Sequence, residues 1–169
     1  IWRRIQVEDC TLEKFHEHIQ TAMGWTNSHL YSFEIDGERY GNRKILEDIE
    51  CVDTRKAKLS QILPPSGVKF RFAYIYDFGD YWDHDVVYEG SSAKEPGQKY
   101  PRCVTGKMAC PPEDIGNLGG YYDFLEALTD PKHEMHEQYR EWGEGFDPEA
   151  FDADETTKAM HEGLPNPWE

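Results

Sequence analysis

The chain has 169 residues and a formal charge of −15, from 33 Asp and Glu against 18 Lys and Arg. That length suits one domain, residues 1–169, with a core large enough to need no metal or disulfide staple. Five Trp, ten Tyr and eight Phe exclude general disorder, no run approaches the apolar length of a membrane helix, and the lack of a basic stripe disfavours direct nucleic-acid binding.

In chain order, Ile1–Val7 alternates apolar and polar residues and predicts a strand, with Ile1, Arg3, Ile5 and Val7 on one face. Leu12, Phe15, Ile19, Ala22 and Met23 make one helical stripe over Leu12–Met23, and Gly24 stands just past its end. His29–Ile35 reads as a strand, Asp36-Gly37 as a turn and Glu38–Tyr40 as the returning strand. The charged, poorly periodic Asn42–Lys58 predicts an exposed loop, followed by a short apolar piece, Leu59–Leu63. Val68–Tyr76 is a strand with Val68, Phe70, Phe72, Tyr74 and Tyr76 on one face. Asp77–Asp80 turns the chain and Trp82–Glu89 returns it, with Trp82, His84, Val86 and Tyr88 opposite Asp83 and Asp85. Ser91–Gln98 predicts a flexible loop, and the Pro- and Gly-rich Tyr100–Gly120 an irregular one. Three helices then follow: Tyr122–Thr129, a second from Asp130-Pro131 to Trp142, and a third from Asp147-Pro148 through Phe151–His161. Strands first and helices last indicate α+β: a mixed, mainly antiparallel sheet, an N-terminal helix and a helical C-terminal third.

Chemistry-bearing residues concentrate in two blocks. The first, YIYDFGDYWDHDVV over Tyr74–Val87, packs Asp77, Asp80, Asp83, Asp85, Trp82 and His84 around one turn. Its carboxylates suit a hard cation or a basic partner, but the spacing is not that of an EF-hand loop. Asp77 and Asp80 equally suit a plain turn with Gly79. His84 is either a hydrogen-bonded core residue or a metal ligand. The second block places Cys103 and Cys110 with six residues between them, beside Pro111-Pro112-Glu113-Asp114. That gap is wider than zinc sites favour, yet His84 or His29 could complete a Cys/His site for zinc, with Glu113 or Asp114 as general base. Two free thiols or a labile disulfide are the alternatives. His133-Glu134-Met135-His136 has its histidines at i and i+3, so both cannot face one metal as in a zinc protease.

Cys10, Cys51, Cys103 and Cys110 form no CxxC pair and no leader is visible, so the expected location is cytoplasmic with reduced thiols. The chain opens on Ile1 and not Met, which leaves a lost leader open.

Five blocks in order carry a resemblance: IWRRIQV; GWTNSHLYSFEIDGERYG at Gly24–Gly41; YIYDFGDYWDHDVV; YPRCVTGKMACPPEDIGNLGGYYDFLEALTDPKHEMHE; and FDPEAFD at Phe146–Asp152. Through them the chain resembles the plasmid pRiA4b open-reading-frame-three-like family, also met as passenger proteins of insertion elements. The resemblance implies a compact α+β domain and no established activity. Some members carry a resolvase-like label, but a serine resolvase needs a nucleophilic serine among arginines and a basic DNA-binding end, and neither is present here. The matching motif positions are His29, Asp77, Gly79, Asp80, Trp82, His84, Cys103, Cys110, Glu113 and Asp114.

The expected function is a binding or accessory domain for a protein or peptide partner, linked to mobile elements. Its cleft would be lined by His29, Asp77, Asp80, Trp82, His84, Glu113 and Asp114, and an exposed Trp25 or Trp82 would support docking. One alternative is a zinc-dependent hydrolase using Cys103, Cys110 and His84. Another is nucleic-acid association through Arg55–Lys58.

Overall fold

The computed structural model describes residues 1–44 and 50–164. The elements in order are β1 (Trp2–Gln6), α1 (Leu12–Met23), β2 (Tyr31–Ile35), β3 (Glu38–Gly41), β4 (Val52–Asp53), α2 (Leu59–Ile62), β5 (Phe70–Tyr76), β6 (Trp82–Tyr88), β7 (Arg102–Lys107), α3 (Asn117–Thr129), α4 (His136–Trp142) and α5 (Ala153–Glu162). The fold is α+β. β4-β3-β2-β5-β6 form one sheet, antiparallel except for the short β3–β4 pair, and β1 with β7 forms a separate antiparallel ribbon. No helix among the described residues is long and apolar enough to cross a membrane.

Helix α1 forms where its pattern demands. Thr11 caps it by accepting from the Lys14 amide, and Gly24, at φ 96°, ends it in the left-handed conformation that glycine adopts without strain. Its buried Leu12, Phe15 and Ile19 share the main core with Phe33, Phe72, Tyr74 and Tyr76 of β2 and β5. The α1 stripe is half polar, however: His16, His18, Gln20 and Thr21 are buried as well. These groups survive burial because most are hydrogen-bonded. Gln20 Nε2 donates to the Tyr74 hydroxyl (2.9 Å), which bonds His16 Nδ1 (2.7 Å). His16 Nε2 faces Asn27 Oδ1 (2.7 Å), an acceptor, so the ring carries its proton on Nε2 and Tyr74 O–H donates to Nδ1. Asn27 N donates to Gln20 Oε1, closing the network on the loop that follows α1.

Several expectations change. Tyr100–Gly120 is not irregular throughout: β7 lies inside it, and its pairing with β1, a hundred residues away, is a long-range contact that its Pro and Gly neighbours conceal. The 42–58 segment is not simply an exposed loop. Asp53, Thr54 and Ala57 are buried, and Leu12 N and Glu13 N donate to the Ala57 and Thr54 carbonyls at the start of α1. The part of that segment at 45–49 lies outside the described residues. Val68 is exposed and precedes β5, which begins at Phe70. α3 starts at Asn117, ahead of Tyr122. Asp130-Pro131 leads into turns, so α4 begins only at His136. The cap of α5 is Asp152, whose Oδ1 accepts from the Asp154 and Glu155 amides, and Asp147-Pro148 forms a preceding turn.

Candidate metal centre

Three segments far apart in sequence meet at one end of the main sheet. The first is the loop from α1 to β2, which carries Trp25, Thr26 and His29. The second is the β5–β6 turn, which carries Asp77 and Asp80. The third is the Pro-Pro-Glu-Asp turn before α3, which carries Glu113 and Asp114. The buried network around His16 and Asn27 pins the first segment. Asp77 N donates to the Leu30 carbonyl (2.8 Å), which fixes the second against the first. The third is held through Glu113: its Oε1 accepts from Thr26 N (2.7 Å), Thr26 Oγ1 (2.9 Å) and the Tyr76 hydroxyl (3.0 Å).

His29 Nε2 lies at the focus. It stands 3.0 Å from Asp114 Oδ1, 3.7 Å from Asp77 Oδ2 and 4.0 Å from Glu113 Oε2. Among the described residues, His29, Asp77 and Asp114 are the group of three whose ligating atoms all lie within 4.8 Å of one another. Ligand atoms about 2.1 Å from a common ion stand roughly 3.0–3.4 Å apart, so a small closure would bring these atoms onto one cation. Two local features fit that role. His29 Nε2 and Glu113 Oε2 are buried yet make no well-formed hydrogen bond within the protein, even though Asp114 Oδ1 stands 3.0 Å from the former. Asp77 and Asp114 hold positive φ (55° and 57°), a backbone state that Asp tolerates better than most residues. The donor set of one imidazole and carboxylates suits a borderline or hard divalent ion. Asp114 is mostly solvent-exposed, leaving one side open.

The other predicted residues take different places. Asp80 is structural: its Oδ2 accepts from Gly116 N (3.0 Å) and ties the β5–β6 turn to the entry of α3. His84 faces Tyr74, and its Nδ1 lies 2.9 Å from the Trp82 carbonyl and 3.2 Å from that of Tyr74. Burial lowers its pKa, which suits a neutral core imidazole. Cys103 sits in a separate small cluster with Ala22 and Met160, whereas Cys110 packs against the main core. With His84 they are not among the groups close enough to share an ion. The cause is topological: β7 places Cys103 in the β1 ribbon and β6 places His84 in the main sheet. Burial also raises both thiol pKa values, most strongly at Cys110, which disfavours the thiolate that a metal needs. Trp25 is 2% exposed and Trp82 half-buried, so Trp25 does not offer the exposed docking surface expected of it.

In the Arg55–Lys58 cluster, Arg55 grips Asp53 through two nitrogens (2.9 and 2.7 Å) and Ala57 is buried. His133 faces Asp123 and His136 bonds the Ala127 carbonyl, so these histidines serve local structure. A separate hollow of about 580 Å³ lies between α1, the 94–101 loop and the end of α5. Its Lys14 and Lys94 are already paired with Glu17 and Glu8, and no partnerless buried atom belongs to its lining.

Comparison with known proteins agrees with this architecture. The family model described as plasmid pRiA4b ORF-3-like protein matches residues 1–155. The curated protein "Uncharacterized protein y4hQ" of Sinorhizobium fredii is 37% identical over 167 residues, spanning 95% of this chain and 83% of that protein. A crystal structure titled as a protein of unknown function, MM3350 from Methanosarcina mazei Go1, superposes with a TM-score of 0.78 at 37% identity. That alignment covers 92% of this chain and 88% of the other.

Proposed function

The chain belongs to the plasmid pRiA4b ORF-3-like family, and from that premise we propose that it is a divalent-cation-binding domain whose ion sits among His29, Asp77 and Asp114. The observation that carries this reading is the buried Nε2 of His29, which meets carboxylate oxygens at 3.0, 3.7 and 4.0 Å yet makes no well-formed hydrogen bond to any of them. A buried imidazole nitrogen without a well-aligned hydrogen bond is under-satisfied, and a bound cation would satisfy it while neutralising a cluster of like charges. Zinc, named from sequence as a cofactor for Cys103, Cys110 and His84, is better supported at His29, with manganese an equally suitable occupant of this nitrogen–oxygen set. The test is calorimetric titration of chelator-treated protein with Zn²⁺ and with Mn²⁺. One site per chain, lost in His29→Ala, supports the reading; full binding in that variant refutes it.

A second reading, metal-assisted hydrolysis, is favoured by Glu113. Its Oε1 is fully used as an anchor, while its buried Oε2 stands partnerless 4.0 Å from His29 Nε2. A carboxylate so placed can accept a proton from water polarised by the ion. This reading predicts that Glu113→Gln retains cation binding and loses hydrolysis of an activated ester or phosphodiester. Equal turnover in the variant would remove it.

Docking of a protein partner draws its support from the acidic surface alone, and no specific contact favours a link to mobile elements. Direct nucleic-acid binding is opposed by the charge of −15 and by the engagement of Arg55.

A further inference from the structure

The hollow of about 580 Å³ between α1, the 94–101 loop and the end of α5 shares no residue with the cation centre. Its volume is that of a small-molecule site. The chain carries a charge of −15 and only 18 Lys and Arg, yet Lys14, Lys94 and Lys99 gather around this one hollow, with His18 and His161. Two carboxylates line it as well, but each has a cation of its own: Glu8 pairs with Lys94, and Glu162 with Lys158 (4.0 Å). Lys14 pairs with Glu17, whereas Lys99 has no ion-pair partner among the described residues. With these pairs set aside, the lining keeps one positive charge uncompensated.

His18 is the second, independent observation. It is only 7% exposed, and its ring makes no hydrogen bond to any described residue; Thr21 uses its backbone carbonyl alone. Its ring nitrogens are not among the fully sealed atoms that lack a partner, so the edge left open faces the hollow that the residue lines. Burial, with the Lys14 charge adding to it, lowers the His18 pKa to about 4. At neutral pH the ring is therefore an uncharged donor and acceptor. Lys14 stands four residues earlier, on the same face of α1. Tyr100 and the buried Met160 give the hollow an apolar side.

We propose that this hollow binds a small organic anion, a phosphate ester or a carboxylate, whose charged oxygens sit among His18, Lys14 and Lys99 and whose apolar body packs on Tyr100 and Met160. The neutral imidazole donates one hydrogen bond, and the lysines supply the charge. The existing ion pairs are no obstacle. The Lys14 and Lys94 side chains are 50% and 69% exposed, and pairs so exposed hold little energy, so either ammonium can turn to a ligand. The proposal is independent of the cation reading.

The experiment follows the His18 ring signal by NMR in chelator-treated protein. The signal is identified by its loss in His18→Gln or, if that variant does not fold, by through-bond correlation. Phenyl phosphate, benzoate and inorganic phosphate are added separately to the parent and to Lys99→Ala. Lys99 is exposed and unpaired, so its removal spares the fold, which an unchanged Tm verifies. The expected result is a saturable shift of the His18 ring with an organic anion, and affinity about tenfold or more weaker in Lys99→Ala. A response to phenyl phosphate alone assigns a phosphate ester, one to benzoate alone a carboxylate, and one to both a site that reads charge and body. No saturable shift with either organic anion overturns the proposal. Parental affinity in Lys99→Ala overturns it too. Inorganic phosphate bound as tightly as phenyl phosphate also overturns it, since the apolar side then contributes nothing.

Discussion

Glu113 uses its two carboxylate oxygens for different purposes. Oε1 receives three donors and joins the loop after α1 to the turn before α3, while Oε2 stays buried and unpaired beside His29. Asp77 divides its oxygens in the same way: Oδ1 accepts from Gly79 N (2.9 Å) to build the turn, and Oδ2 faces His29. This division allows a clean variant. Asp77→Asn keeps a side-chain oxygen for Gly79 and tolerates the positive φ, but removes the charge. Its expected effect is near-parental stability with cation affinity lower by about 100-fold or more. Calorimetry and a urea curve on the same sample check both halves, and parental affinity would remove Asp77 from the ligand set. Asp80 behaves differently. Asp80→Ala should loosen the Gly116 contact and cost about 1 kcal/mol, as for a typical hydrogen bond, without the same loss of affinity.

At the scale of elements, α1 carries an unusual load of buried histidine. Burial pulls the His16 imidazole down to about 3 and His18 to about 4, below the ordinary value of 6.5. The unfolded chain therefore binds protons that the folded one refuses. The stability from these two neutral rings is fully present above about pH 6.5 and drains away as pH falls toward 3. Urea unfolding between pH 7 and 5 should show falling stability, by up to about 1.4 kcal/mol per pH unit for each histidine. His16→Gln should flatten that slope by one proton, and a slope unchanged in this variant would contradict the assignment. Helix α3 is constrained at its entry instead. A Cβ on Gly120 would come within 2.1 Å of the Ile115 carbonyl oxygen, a backbone atom that cannot step aside alone. Gly120→Ala is expected to cost about 1–3 kcal/mol and to weaken cation binding, because Asp114 precedes the displaced residue. Parental values for both would show that the turn adapts.

At the scale of the molecule, sequence made most of the fold legible and only the outline of the site. α1, the β2–β3 turn and the β5–β6 hairpin follow from period, capping and Asp-Gly chemistry, all local. β7 escaped because its pairing with β1 is distant and its flanks are rich in proline and glycine. The cluster of His29, Asp77, Glu113 and Asp114 was visible as candidate residues, through motif position more than geometry. What sequence could not provide was their convergence, or the separation of Cys103 from His84, since both depend on which strands join which sheet. The hollow that gathers His18, Lys14 and Lys99 is equally invisible in a sequence, because it is a property of packed neighbours. The account makes one end of the main sheet the functional end, in a strongly acidic molecule suited to holding a cation.

The most direct test of that claim is anomalous diffraction at the zinc edge from crystals of the protein equilibrated with Zn²⁺. The account predicts a strong peak bonded to His29 Nε2 and to carboxylate oxygens of Asp77 and Asp114. A peak beside Cys103 and Cys110, with none at His29, would contradict it.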